Sequence, residues 1–292
     1  MHRETVAADP AAWVRELIER FVAESPANRL KMSGGERAFD PPLVGFAGGG
    51  DPIWREYAAH IGDFYLTPAE IYRRAFPKSP PADASELTVV SWILPSTAAT
   101  RSEQERRQRH PSERWARTRL YGEDFNDALR RQVVSRLDQT GIDAVAPMLA
   151  PFWSRSDQGP YAPCSNWSER HAAYAAGLGT FGLCDGLITP VGKAMRTGSV
   201  LARLAIEPSA RPYTDRHEYC LFYRHGNCGK CIPRCPVEAL STAGHDKQRC
   251  MQYTEVGMNK VMLSAYGLDT YACGLCQTGV PCMDHIPGPE EG

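Results

Sequence analysis

Apolar residues recur at helical spacing in residues 10–24, where Trp13, Leu17, Ile18 and Phe21 share one face. Asp9 stands where an N-cap belongs and Pro10 suits the first helical turn, so a core-packing helix is predicted there. Residues 25–52 break the pattern with Gly and Pro and read as loop. They include Gly48-Gly49-Gly50, a plain turn by this reading, since no Lys and Ser/Thr follow as a phosphate loop requires. The continuous apolar run 87–94, stopped by Pro95, predicts a buried strand. Residues 101–119 are polar and arginine-rich and read as a solvated connector. Periodicity returns in 123–140, where Phe125, Leu129, Val133 and Leu137 are spaced by four and Gly141 is placed as a C-cap. Residues 142–149 read as a second strand and 169–176 as a helix.

Strands alternating with helices predict a mixed layer up to about residue 210, and a cysteine-rich, loop-rich segment follows. The expected class is α+β. An α/β cofactor and substrate domain with an N-terminal helical extension takes residues 1–212, and a second domain takes 213–292. A chain of 292 residues suits two domains of about 150 each.

Charge narrows the function classes. There are 33 basic and 34 acidic side chains, a net charge of −1, whereas a general nucleic-acid binder carries a basic surplus. Only the stretch 101–119 offers a local basic face, and a contact to tRNA is the one nucleic-acid reading it allows. The run 87–94 is far short of the ~20 apolar residues of a membrane span. The first ten residues include Glu4 and Pro10 and no apolar core, so they do not read as a secretory leader, and a cytoplasmic location is expected.

The ten cysteines carry the chemistry. Cys164 and Cys184 stand apart and read as small buried apolar side chains or reactive thiols. The other eight are Cys220, Cys228, Cys231, Cys235, Cys250, Cys273, Cys276 and Cys282. In a reducing compartment such crowding points to metal ligation. His225-Gly-Asn-Cys228-Gly-Lys-Cys231-Ile-Pro-Arg-Cys235-Pro236 follows the bacterial ferredoxin spacing, with His225 in the first position. Cys273-Gly-Leu-Cys276 and Cys282 form the second half. Two [4Fe–4S] clusters use eight thiolates. The zinc rival, Cys228, Cys231, Cys273 and Cys276, leaves four cysteines without a role. By the crossed logic of two-cluster ferredoxins, one cluster takes Cys228, Cys231 and Cys282, with Cys220 or His225 as fourth ligand. The other takes Cys235, Cys250, Cys273 and Cys276.

Gly177, Gly179 and Gly182 form a G-x-G-x-x-G, but it follows a predicted helix rather than a strand, which excludes a dinucleotide fingerprint. These glycines admit a close backbone approach, either by a cofactor or by packing. The segment Ser168-Glu-Arg170-His171, leading to Ala-Gly177-Leu-Gly179-Thr180-Phe181-Gly182, together with the cysteine motifs, resembles the epoxyqueuosine reductase and reductive dehalogenase superfamily over roughly residues 85–285. The resemblance implies an N-terminal domain similar in fold to flavin nitroreductases that holds a corrinoid. It also implies a ferredoxin-like domain that feeds electrons through two [4Fe–4S] clusters.

Ser168, Gly177, Gly179, Thr180, Phe181 and Gly182 would then lie against cobalamin, with FMN as the alternative occupant. Where epoxyqueuosine reductases carry an acidic general acid, this chain has Pro163 or Cys164. Arg170, His171 and Tyr161 are the candidate catalytic groups, since a His titrates near neutrality and a Tyr can donate a proton. Asp185, Lys193 and Arg196 stand nearby in sequence. The expected activity is reduction of a small or nucleoside-type substrate, with a ferredoxin or flavodoxin as electron donor. The rival class is a non-catalytic electron carrier.

Overall fold

The computed structural model describes residues 8–157 and 161–292, so the N-terminal stretch read for a leader lies almost wholly outside it. A four-stranded antiparallel sheet organises the first two-thirds of the chain, in the order β1 (Leu43–Gly48), β2 (Thr88–Pro95), β8 (Met195–Ala202) and β3 (Ala144–Val145). Its centre is β2 (Thr88–Pro95), with all eight residues buried. A strand covered on both faces has no polar side to alternate with, which is why its sequence is one apolar run.

One face carries the helices Pro10–Glu24 and Glu113–Asp138. Val14, Ile18, Phe125, Leu129 and Val133 meet Val90, Trp92 and Leu94 there. The other face carries Ile53–Ile61, Pro68–Ala75 and Glu169–Ala175, which bring Trp54, Tyr57, Ile71 and Ala172 against Val89 and Ile93. The expected mixed class of helix and sheet holds.

The first helix spans Pro10–Glu24 as expected, and the Asp9 carboxylate accepts from Ala12 N at 2.9 Å. Four expectations need correction. The presumed loop 25–52 contains β1 (Leu43–Gly48), whose short apolar stretch is interrupted by Gly45. The second strand is only β3 (Ala144–Val145), because Pro147 has no N–H for the ladder and a 3₁₀ turn, Pro147–Leu149, follows. β8 (Met195–Ala202), the partner of β2, was not foreseen.

The fourth correction concerns 101–119, which is not a solvated connector. Its ends are helical, in Ala98–Glu105 and in Glu113–Asp138. Several arginines are spent inside the chain: Arg114 pairs with Glu36 at 3.0 Å and Glu103 at 3.1 Å, Arg117 with Glu113 at 2.8 Å, and Arg119 donates to Tyr271 Oη at 2.7 Å. Among the described residues no helix is long and apolar enough to cross a membrane.

Three two-residue hairpins complete the strands: β4 (Arg155–Ser156) with β5 (Cys164–Ser165), β6 (Thr180–Phe181) with β7 (Leu187–Ile188), and β9 (Leu240–Ser241) with β10 (Gly244–His245). In the last eighty residues the helix Lys247–Met251 runs through a π-helical turn, Gln252–Gly257, into Met258–Tyr266. This segment packs on the rest of the chain. Met262, Leu268 and Ala272 join Trp115, Ala116 and Ala194. Lys193 N donates to Cys282 O at 3.0 Å, Ala194 N to Met283 O at 3.1 Å, and Gln104 Nε2 to Cys273 O at 2.7 Å.

Candidate metal centre

Short loops and half-turns position the eight clustered cysteines. Cys220 precedes the helix Leu221–His225, Cys250 lies in Lys247–Met251, and Cys276 and Cys282 lie in single 3₁₀ turns. Four of the thiols share one pocket. Cys220, Cys228, Cys231 and Cys282 line one pocket, with Lys193, Val280 and Pro281. Elsewhere Cys273 faces Cys250 and Cys235, and Cys276 neighbours Cys273. Cys220 is buried in the first pocket's wall, whereas His225 is exposed at the end of its helix.

Among the described residues no three His, Cys, Asp or Glu side chains converge as closely as a single metal ion requires. A four-thiolate zinc site would gather its sulfurs within about 4 Å of one another, given Zn–S bonds of about 2.3 Å. An iron–sulfur cube spreads its ligands over four corners. Eight thiolates in two sets of four are the donor chemistry of two such cubes, so the residues present fit that group. Burial pushes the Cys231 thiol up to about 12 and the Cys273 thiol up to about 11, so ligation there must displace protons.

Two further residues belong to this region and sequence reasoning gave them no role in it. Cys184 is buried, not among aliphatic neighbours alone but beside Cys276. Its Sγ accepts from Lys193 Nζ at 3.5 Å. The hydrogen bond with Cys276, working against burial and with the Lys193 charge, holds the Cys184 thiol well below its ordinary range. Lys193 is 3% exposed. Burial opposes its charge, but Cys184, Cys282, Cys231 and Cys276 surround it and keep its pKa well above the usual value. Gly192 makes its placement possible. At φ +73° it lets the backbone run against Met283 and Asp284, where a Cβ would come within 2.2 Å of backbone atoms.

A polar group adjoins the second set. His245 Nδ1 lies 2.9 Å from Asp185 Oδ2, with Lys247 Nζ at 3.8 Å from the same oxygen. Against burial, the Asp185 carboxylate and the Cys250 thiol raise His245 to about 9. Arg170 donates to the Asp185 carbonyl, and Lys247 Nζ donates to the Tyr161 carbonyl at 3.1 Å. Tyr161 is exposed and rests its ring 4.1 Å from that of His60. Arg170 and Tyr161 are thus brought to one neighbourhood through Asp185 and Lys247.

His171 faces inward instead. Its Nδ1 is 2.8 Å from Ser168 Oγ, and its ring contacts Tyr57 at 4.7 Å and Phe181 at 4.8 Å. Burial, reinforced by the Arg170 charge, pushes its pKa down to about 3. This burial favours the neutral imidazole over the titrating group the sequence suggests.

The chain itself packs closely against two of the expected cofactor residues. Gly177 and Gly179 have φ of +78° and +159°, and a Cβ would come within 2.3 Å of Ala210 O and 2.2 Å of Ile188 O, respectively. Close packing of the chain on itself accounts for both glycines. Gly182 N donates to Gly186 O at 2.8 Å, Thr180 Oγ1 accepts from Tyr219 N at 2.9 Å, and Phe181 packs on Tyr174. Gly182 also lines the pocket that holds Cys220, Cys228, Cys231 and Cys282.

No protein-family model matches the chain, and no curated protein sequence is similar to it. Among solved structures, it is similar to an epoxyqueuosine reductase from Bacillus subtilis, at 19% identity over 87% of this chain, with a TM-score of 0.44. An epoxyqueuosine reductase solved with an epoxyqueuosine-modified tRNA stem loop is 20% identical over 87% of this chain, with a TM-score of 0.44. A reductive dehalogenase described as B12-dependent is 17% identical over 80% of this chain, with a TM-score of 0.47. The chain spans 66% of each of the first two proteins and 29% of the third. These structure neighbours come from the same superfamily whose motifs the sequence resembles.

Proposed function

We propose that this chain is a two-cluster iron–sulfur protein that delivers electrons for a reduction. The observation that carries the reading is that Cys220, Cys228, Cys231 and Cys282 line one pocket. With Cys273 near Cys235 and Cys250, the reading assigns Cys235, Cys250, Cys273 and Cys276 to the second cluster. The second set is the point of electron entry. An open surface pocket lined by Pro236, Val237, Glu238, Arg249, Gln252 and Tyr253 adjoins Cys235 and Cys250 in sequence. A ferredoxin or flavodoxin is the expected donor. The first set, with Cys220 and Cys231 buried, lies further in.

The superfamily resemblance favours a reductase over a bare electron carrier, with a small or nucleoside-type substrate. A corrinoid, where the superfamily holds one, supplies carbon-bond chemistry that iron–sulfur cubes do not. The packing around Gly177 and Gly179 gives that cofactor no support here. Its presence is decided by uptake.

The test is anaerobic reconstitution. The protein should take up about eight iron and eight sulfide per chain, as two cubes require. Cys235→Ala and Cys282→Ala should each cost about half of the iron, from different clusters. A colourless protein that holds zinc and accepts no iron refutes the reading. Cobalamin and FMN offered to the reconstituted protein separate three outcomes: corrin enzyme, flavin enzyme and carrier.

A further inference from the structure

The lysine at 193 is out of place in an apolar interior. Its side chain is almost wholly buried, and a lysine ammonium in that position costs free energy unless negative charge surrounds it. What surrounds it is sulfur. It neighbours Cys231 and Cys282 of the first set, Cys276 of the second, and the unassigned Cys184, whose Sγ is 3.5 Å from Nζ. Its backbone is fixed to the same place, since Lys193 N donates to Cys282 O. The ammonium therefore stands between the two thiol sets, shielded from solvent.

Resting on the reading that these sets hold clusters, we propose that Lys193 is a fixed cation placed between the two clusters to raise their reduction potentials. Each cluster accepts one electron from the external donor, so one iron(III) becomes iron(II) and the core gains one negative charge. No bond to carbon or hydrogen changes and no proton moves. A buried positive charge beside the growing negative charge favours the reduced form. In the low dielectric of the interior, water does little to screen it. Lys193 is a positioning residue in this account, because it ligates nothing.

The experiment compares wild type, Lys193→Met and Lys193→Arg after anaerobic reconstitution. Each is assayed for iron and then titrated with dithionite while the reduced clusters are followed by electron paramagnetic resonance. Lys193→Met has nearly the same length without the charge. With full iron content, it should show one-electron reduction at least tenfold less favourable for one or both clusters. That is a potential lower by about 59 mV. Lys193→Arg should stay within a few-fold of wild type. Unchanged potentials in an iron-replete Lys193→Met protein overturn the proposal. Loss of iron from both variants also overturns it, because a packing role alone accounts for that result. A wild type that accepts no iron removes the cluster reading itself and is recognised in the first assay.

Discussion

Replacing Arg130 by Met should destabilise the protein far more than replacing Glu169, its partner, by Gln. Arg130 is 1% exposed and its guanidinium meets Asp127 at 2.7 Å, Glu123 at 3.1 Å and Glu169 at 3.1 Å, with Thr197 O at 3.2 Å. It ties the helix Glu113–Asp138 to β8 and to the first turn of Glu169–Ala175. Losing it strands the buried Glu169 carboxylate and unpairs the half-exposed Asp127, and breaking such a buried pair costs about 3–5 kcal/mol. At about 2–4 °C per kcal/mol, the midpoint should fall by about 6–20 °C.

Glu169 is the weaker partner. Burial, aided by repulsion from Glu123, outweighs Arg130 and Ser199 and raises its pKa. The charge of Arg130 is favoured despite burial because three carboxylates share it. Glu169→Gln keeps an acceptor for Arg130 and removes a charge the site holds poorly, so it should cost no more than about 1 kcal/mol. The assay is thermal unfolding by circular dichroism of anaerobic protein at matched iron content and scan rate. Arg130→Met combined with Glu169→Met should recover part of the loss, as a coupled pair requires. Equal costs for the two single variants, or an Arg130→Met midpoint within 2 °C or so of wild type, would refute the reasoning.

Two other outcomes are expected. A Cβ at residue 198 would come within 2.4 Å of the Trp92 indole, so Gly198→Ala should cost about 1–3 kcal/mol in denaturant unfolding and shift Trp emission; a midpoint equal to wild type contradicts it. His171 has a folded pKa of about 3 against an ordinary 6.5. The unfolded chain therefore takes up its proton first, and stability drains away as pH falls from about 6.5 towards 3. The loss is about 1.4 kcal/mol at pH 5.5, and it should vanish in His171→Gln; identical pH slopes for the two proteins would sink the assignment.

The parts of the fold that were legible in the sequence are those where one interaction dominates. The run 87–94 reads as a strand because both of its faces are buried, and Phe125 to Leu137 reads as a helix because one face meets the sheet. β8 is not legible as a strand because its register places Gly198 under the Trp92 indole and Ser199 against Trp167 Nε1, so small and polar residues fill the buried end of the strand. β1 was hidden by Gly45, where a Cβ would come within 2.4 Å of Ala176 O.

At the candidate centre, spacing alone was enough to propose the crossed grouping of the cysteines. Spacing carries no information on what lies between the sets. Lys193 lies far from the cysteine motifs in sequence, and only the tertiary path of 189–194 brings it beside Cys282. The glycines at 177 and 179 carry a related ambiguity. Sequence says that something approaches the backbone closely, not whether that something is a ligand or the chain itself.

The pairing of Lys193 and Ala194 with Cys282 and Met283 also bears on how the protein is made. Cys220, Cys228 and Cys231 leave the ribosome together, but Cys282 follows about fifty residues later. At about 5–20 residues per second the wait is about 3–10 s. During that interval three thiols stand beside a docking edge that is already synthesised, with no fourth ligand. If this set holds a cluster, its fourth thiolate arrives only when the final segment returns to that edge, so assembly there would wait for the end of synthesis.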